Sequence, residues 1–155
     1  MKKVFLLLAV LLVVLPLSAR PKLELAPRAS LYISSVNVGI GADIIANPTK
    51  KIGIRVNLAE LIFGDYTVFS LNHPGNLELL YYTNIADIIS YLNLIFGLQA
   101  GDVTTIVTLG GGAGYEASLG KGNKLFLEPS LLILTGDVDT DVTLRLSGGF
   151  KFGIF

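Results

Sequence analysis

The stretch of sequence that decides the fold is residues 142–155, VTLRLSGGFKFGIF. One set of alternate positions is apolar and holds Val142, Leu144, Leu146, Phe150, Phe152 and Ile154. The set between them is polar or small and holds Thr143, Arg145, Ser147, Gly149, Lys151 and Gly153. Because successive side chains of a β-strand point to opposite faces, this alternation predicts a strand with one apolar and one polar face.

The same alternation recurs through the chain, between short polar or glycine-rich turns. It predicts an all-β fold of about eight strands, with no sustained helical periodicity. The predicted strands cover residues 36–44, 52–58, 66–72, 76–83, 92–98, 103–119, 125–133 and 142–154. In this prediction 66–72 and 76–83 form a hairpin around His73-Pro74-Gly75. The isoleucines of segment 84–90 lie at helical spacing and predict one helical turn there.

The composition excludes several classes of protein. The chain has 155 residues, with 52% hydrophobic and 15% charged side chains, whereas soluble domains carry roughly 25% charged residues. Twelve basic residues balance twelve acidic ones, so nothing points to nucleic acid as a partner. The absence of cysteine excludes disulfides, thiolate metal sites and a lipidated cysteine.

The first nineteen residues have the layout of a secretory signal peptide. Lys2 and Lys3 form a positive start, residues 4–15 are apolar, and Ala19 offers a small residue for cleavage. The apolar run is short for a bilayer of about 30 Å. We therefore expect residues 1–19 to be removed and residues 20–155 to form a single domain.

The polar faces of the predicted strands are sparse, consisting of Gly, Ser, Thr and Asn with a few charges of both signs. The wet face of a soluble sheet is usually richer in charge. An inverted barrel explains the pattern, since lipid meets the apolar face and the charges pair in a narrow lumen. The predicted lumen network is Asp43, Arg55, Glu78, Glu116, Glu128, Arg145 and Lys151. A soluble sandwich or lipocalin-like barrel with an apolar core is the alternative.

On these residues the chain resembles the small eight-stranded bacterial outer-membrane β-barrel proteins. Such proteins typically end on an amphipathic strand with a C-terminal aromatic residue, which Phe155 matches. The resemblance implies a closed antiparallel up-and-down transmembrane barrel, located in the outer membrane, whose last strand is recognised by the assembly machinery. Its partners would be outer-membrane lipid and that machinery, and its oligomeric state stays open.

The resemblance also implies an orientation, with both termini in the periplasm. The turns near Asn47, His73, Gly101 and Asp137 are then expected to face outward, and those near Gly64, Asp87 and Gly122 inward. An aromatic girdle at the membrane interfaces would draw on Tyr66, Tyr81, Tyr91, Tyr115, Phe126, Phe150 and Phe152.

Three motifs suggest chemistry, and each has a simpler interpretation. Residues 112–117 fit a dinucleotide pattern but continue as a strand, where a nucleotide site needs a helix. Asp137, Asp139 and Asp141 are a weak candidate for a metal site, without the Gly and Glu of an EF-hand. His73, the only histidine, lacks the neighbouring serine of barrel-type lipid deacylases and is interpreted as a turn residue.

The expected function is therefore that of an integral outer-membrane barrel with a structural or envelope-integrity role and a filled polar lumen. No cofactor and no enzymatic chemistry are expected. Two alternatives stay open at this point. One is a narrow outer-membrane pore, and the other is a soluble periplasmic β-barrel that binds an apolar ligand.

Overall fold

The computed structural model describes residues 21–34, 36–64, 67–70, 77–100, 105–136 and 139–154. These residues form an all-β fold. Its strands are β1 (Leu23–Tyr32), β2 (Asn37–Ala46), β3 (Ile52–Phe63), β4 (Val68–Ser70), β5 (Leu77–Ile85), β6 (Ile89–Ala100), β7 (Thr105–Gly120), β8 (Asn123–Thr135) and β9 (Thr140–Gly153). Within the described ranges, no helix has the length and apolarity needed to span a membrane.

The strands close into one antiparallel barrel. Consecutive strands pair with each other from β5 to β9, and β1 pairs with both β2 and β9. The short β4 pairs with the far half of β3, while β5 pairs with its near half, so β4 and β5 together occupy one position around the barrel. The result is a closed eight-stranded up-and-down barrel, which confirms the predicted fold class.

The predicted number of strands is correct only because two local errors cancel: one strand is omitted, and one barrel position is counted as two strands. The first strand, β1, was not predicted at all. The predicted hairpin of 66–72 with 76–83 is wrong, because β4 and β5 run in the same direction along β3 and do not pair with each other. The turn His73-Pro74-Gly75 that was expected to join them lies outside the described residues.

The helical turn predicted over 84–90 is also wrong. This segment is the tight turn between β5 and β6, in which Ile85 faces Ile89. Ala86 and Asp87 have φ of 52° and 56°, the left-handed conformation of tight hairpins. The Ile88 amide donates to the Ile85 carbonyl at 3.1 Å.

Inclusion of β1 reverses the predicted placement of two turns. The Asn47 amide donates to the Lys22 carbonyl at 2.8 Å, so the β2–β3 turn lies at the end of the barrel that holds both termini. The turn at Gly64 follows Phe63, which pairs with Val38, and lies at the opposite end. The turns at Asp87 and Gly122 are at the termini end, as expected.

The apolar side chains lie on the outside, as the alternation predicted. Far more large hydrophobic side chains are exposed than buried, among them Leu94 at 52% and Leu127 at 58% exposure. The buried set is rich in charged, amide and hydroxyl side chains. Two of the residues proposed for an outer aromatic girdle, Tyr91 and Phe126, are instead buried inside. Tyr81, Tyr115, Phe150 and Phe152 are on the outer face, and Tyr66 lies outside the described residues.

Glycines on the inner face of β7 make room for side chains from its neighbours. Gly114 pairs with Tyr91 of β6, and a methyl group at Gly114 would overlap the Tyr91 ring. Tyr91 is fully buried and cannot turn outward without losing its place in the interior. The inward glycines of β7 are therefore a packing feature that leaves space for residues of the neighbouring strands β6 and β8.

We expect Gly114→Ala to lower the free energy of unfolding by about 1–3 kcal/mol, the usual cost of overpacking a filled interior. Urea unfolding followed by circular dichroism measures it. The matched control is Gly148→Ala, whose added methyl meets its nearest neighbours at 3.5–3.6 Å. Equal stability of the two variants would contradict the close packing of Tyr91 against β7.

Candidate functional site

Four charged side chains from four strands meet in the middle of the barrel. Arg55 of β3 donates from Nη1 to Glu78 of β5 at 2.7 Å and to Glu128 of β8 at 3.0 Å. Arg145 of β9 reaches the same two carboxylates from Nη2, at 2.8 Å and 3.1 Å. We call these residues the central cluster; each arginine bridges both glutamates across the interior.

Neutral side chains complete the hydrogen bonding of the central carboxylates. The Tyr91 hydroxyl donates to Glu128 Oε2 at 2.6 Å. The Asn93 amide donates to Glu128 at 3.0 Å and to Glu78 at 3.3 Å. Because all these groups are buried, the bonds offset the cost of removing the carboxylates from water.

A second cluster lies around Arg28 of β1, toward the end away from the termini. Arg28 binds Asp43 of β2 through Nε at 3.1 Å and Glu60 of β3 through Nη2 at 2.9 Å. The Tyr32 hydroxyl donates to Glu60 at 3.0 Å, and the Asn57 amide donates to Asp43 at 2.9 Å. This Arg28 cluster ties the first three strands together from the inside.

A third cluster lies near the termini end and is built on two lysines. Lys151 of β9 binds Glu116 of β7 at 2.6 Å. Lys124 of β8 binds Glu116 at 3.4 Å and Glu24 of β1 at 3.1 Å. The Lys151 amine also lies 4.2 Å from the centre of the Tyr91 ring, within the range of a cation–π interaction.

Two clusters of buried apolar side chains fill the space between these charges. Tyr32, Ile95 and Leu132 pack together, with Leu134 against them, toward the end away from the termini. A larger group lies on the termini side of the central cluster and consists of Ala26, Ile45, Leu80, Tyr82, Tyr91 and Phe126. Charged and apolar groups thus share an interior that the protein's own side chains occupy.

All seven residues of the predicted lumen network face the interior. Asp43, Arg55, Glu78, Glu128, Arg145 and Lys151 are buried, and Glu116 is half-buried. The structure distributes them over three clusters, a grouping that the sequence did not indicate. Charge is nearly balanced across the clusters, with cations Arg28, Arg55, Lys124, Arg145 and Lys151 and anions Glu24, Asp43, Glu60, Glu78, Glu116 and Glu128.

The sequence pattern did not predict a lumen position for four of these charged residues. Glu24 and Arg28 belong to the unpredicted β1. Glu60 follows an irregularity in the β2–β3 ladder, where Asp43 pairs with Asn57 but Ala42 pairs with Ala59. The extra residue, Leu58, shifts the alternation by one and turns Glu60 inward. Lys124 could have been found, because it is in phase with Phe126 and Glu128.

The remaining candidates from the sequence are the metal, histidine, C-terminal and nucleotide-motif residues. Asp139 and Asp141 are exposed near the β8–β9 turn, while Asp137, His73 and Phe155 lie outside the described residues. Among the residues that the structure describes, no group of three or more His, Cys, Asp or Glu side chains is placed to hold a metal ion. Residues 112–117 lie within β7, not at the start of a helix, so the nucleotide-binding motif has no structural support.

In the interior, the buried carboxylates and cations neutralise each other's charge. Each lumen carboxylate has a cationic partner, and each lumen cation has a carboxylate partner. Removal of one partner leaves a buried charge uncompensated, which is much more costly than the loss of a surface ion pair. The clusters therefore brace the barrel wall across its lumen.

Comparison with known proteins adds no relative. No protein-family model matches the chain, and no curated protein or solved structure is significantly similar to it.

We expect Arg145→Gln to cost about 3–5 kcal/mol of unfolding free energy, because it leaves Glu78 and Glu128 with one arginine between them. Glu78→Gln in the same background should restore part of this loss. The double-mutant cycle, measured by urea unfolding, should give a coupling energy of about 0.5–3 kcal/mol. Additive losses would mean that the two side chains do not interact, and the exposed Lys121→Gln serves as the neutral control.

Proposed function

We propose that this chain is an integral outer-membrane β-barrel protein with a structural role in the cell envelope. The observation that carries the proposal is the inverted polarity of a closed barrel, apolar outside and ionic inside. The proposal assigns no catalytic chemistry and no cofactor.

The outer surface favours a lipid environment over water. Monomeric soluble proteins rarely expose contiguous apolar patches beyond a few hundred Å². Here the outward positions of neighbouring strands are apolar side by side, as where Leu94 pairs with Leu79 and Leu131 pairs with Leu144. All four side chains are exposed. In a bilayer these side chains meet acyl chains, and their exposure carries no cost.

Backbone hydrogen bonding supports the same environment. The hydrocarbon core offers no partner for an unpaired N–H or C=O group, so a spanning sheet must close on itself. The pairing of β1 with β9 provides that closure. Strand lengths agree as well, since crossing a bilayer takes about 9–11 tilted residues and β1 and β2 have 10 residues each.

The resemblance to small outer-membrane barrels supplies the proposed orientation and route. Residues 1–19 would direct export, and the C-terminal segment of the sequence, with Phe155 as its final residue, would be recognised by the outer-membrane assembly machinery. With both termini in the periplasm, the turns at Asn47, Asp87 and Gly122 face the periplasm. The turns after β1, β3, β6 and β8 then face outward.

A filled lumen favours a structural role over a pore. Arg55 and Arg145 reach across the interior to shared carboxylates, and aromatic rings occupy the space beside them. Ions crossing the barrel would have to displace these partners. We therefore propose a rigid barrel that contributes to envelope integrity through its wall and its short turns.

Cell fractionation tests the proposal. The protein should be found in the outer-membrane fraction, require detergent for extraction, and migrate differently in unheated and boiled samples, as closed membrane barrels do. The control is the same chain without β9, residues 1–139, whose barrel cannot close and whose band should not shift. A detergent-independent periplasmic protein with no shift would overturn the proposal in favour of a soluble barrel.

A charge on the outer face gives a second test. Leu94 lies in the middle of β6 and is paired on both sides, with Leu79 and Gly111. In a bilayer Leu94→Arg should cost about 2–4 kcal/mol, the usual penalty near the membrane midplane. If the same face met water, the change should cost no more than about 0.5 kcal/mol. Folding equilibria in phosphatidylcholine vesicles measure the difference, with Lys50→Arg at the rim as the matched control.

A further inference from the structure

The exposed positive charge of the described residues lies entirely at one end of the barrel. Its members are Lys22, Lys50, Lys51 and Lys121. Lys22 precedes β1, Lys50 and Lys51 are in the β2–β3 turn, and Lys121 is in the β7–β8 turn, all at the termini end. The other described cations point into the lumen, where Lys124 is half-buried and the rest are buried.

The four lysines follow one continuous part of the rim. The Lys22 carbonyl accepts a hydrogen bond from the Asn47 amide at 2.8 Å, which places β1 against the turn that carries Lys50 and Lys51. On the other side, a methyl group at Gly122 would lie 3.1 Å from Pro21, so the Lys121 turn adjoins the residue before Lys22. We call this set the lysine arc.

The lysine arc has no carboxylate partner within the described ranges. The exposed acid at the same end, Asp87, accepts a hydrogen bond from the Asn84 amide in its own turn at 2.9 Å. At the opposite end the exposed charges that the structure describes are acidic, Asp139 and Asp141. Among the described residues, the exposed charge is therefore mainly positive at the termini end and negative at the opposite end.

The arc begins where the apolar outer face ends. Lys51 directly precedes Ile52, which is exposed and pairs with the exposed Tyr81 on β5. Lys121 follows the exposed Leu119 by two residues. Amines just beyond an apolar band are at the depth of lipid headgroups when that band is in hydrocarbon, and tyrosine favours the same depth.

We infer that the lysine arc binds the phosphate groups of anionic phospholipids in the leaflet at the termini end. The inference rests on the proposed membrane location. Each amine supplies a positive charge that no described carboxylate neutralises, and an anionic headgroup supplies the complementary charge at the same depth. The acidic opposite rim lacks this complementarity, so the preference is confined to one leaflet.

The test is lipid selection by the refolded protein. Nanodiscs with equal amounts of phosphatidylglycerol and phosphatidylcholine are dissociated gently, and native mass spectrometry counts the lipids that stay bound. Wild type should retain about fivefold more phosphatidylglycerol, the ratio given by the ~1 kcal/mol that one lysine gains near an anionic surface. The preference should disappear in 1 M salt, where the Debye length is about 3 Å.

Three variants locate the effect. The fourfold change Lys22→Gln, Lys50→Gln, Lys51→Gln and Lys121→Gln should bring the ratio to about one. The fourfold change to arginine should keep the preference, because it keeps the charge. The pair Asp139→Asn and Asp141→Asn, at the other rim, should leave the ratio unchanged. If the glutamine variant does not fold, the salt dependence of wild type still decides.

Failure of this inference is distinguishable from failure of the proposed function. A barrel that inserts into phosphatidylcholine vesicles, judged by its heat-dependent band shift, but shows no lipid preference overturns the lysine arc alone. A preference that survives in the glutamine variant overturns it as well. A protein that inserts into no vesicle contradicts the membrane location, and the lipid inference with it.

Discussion

The constraint on which the structure depends is the cost of burying charge. Arg55 and Glu78 come from the neighbouring strands β3 and β5, Arg145 and Glu128 come from the neighbouring strands β9 and β8, and each side chain is fully or nearly fully buried. An unpaired ion in such a place costs several kcal/mol. The pairs Arg55–Glu128 and Arg145–Glu78 form only when these two pairs of strands face each other across the lumen, so the ions link separate parts of the barrel wall. Two groups of buried apolar side chains fill the spaces that the ions leave.

This arrangement changes what holds the barrel together. In a soluble β-protein the hydrophobic effect pulls the two layers of a core toward each other. Here the interior is largely polar, and the apolar surface points away from the centre. Lateral hydrogen bonding along the strands and ion pairing across the lumen supply the cohesion, and in the proposed bilayer setting the surrounding lipid receives the apolar face.

The sequence predicted the fold class because the alternation of residues 142–154 is regular and recurs along the chain. It predicted the inward direction of Arg55, Glu128 and Arg145 for the same reason. β1 was missed because Pro27 lowers strand propensity and the outward residues at 27 and 29 are small, which weakens the apolar face. Glu60 was missed because the bulge at Leu58 shifts the inward–outward alternation of β3, and no residue at that point indicates a bulge.

The sequence alone could not predict which lumen residues from distant strands come together. Alternation gives the face of a residue but not its neighbours across a lumen, since these depend on the stagger between strands. Nothing local indicates that Arg28 binds Asp43 and Glu60 while Arg145 binds Glu78 and Glu128. The prediction for segment 84–90 failed for a different reason. Its three isoleucines have helical spacing, but the segment forms a tight turn.

The seam between β1 and β9 has a consequence for the order of events during folding. The Ile154 amide donates to the Leu23 carbonyl at 2.8 Å, so nearly the first and nearly the last described residues are hydrogen-bonded neighbours. Such distant pairing is entropically slow to form, and here it is also the step that removes the last two open edges of the sheet. A chain still lacking β9 has no Arg145 for the central glutamates and no partner for the outer side of β1. Closure of the barrel and completion of the central cluster therefore wait for β9.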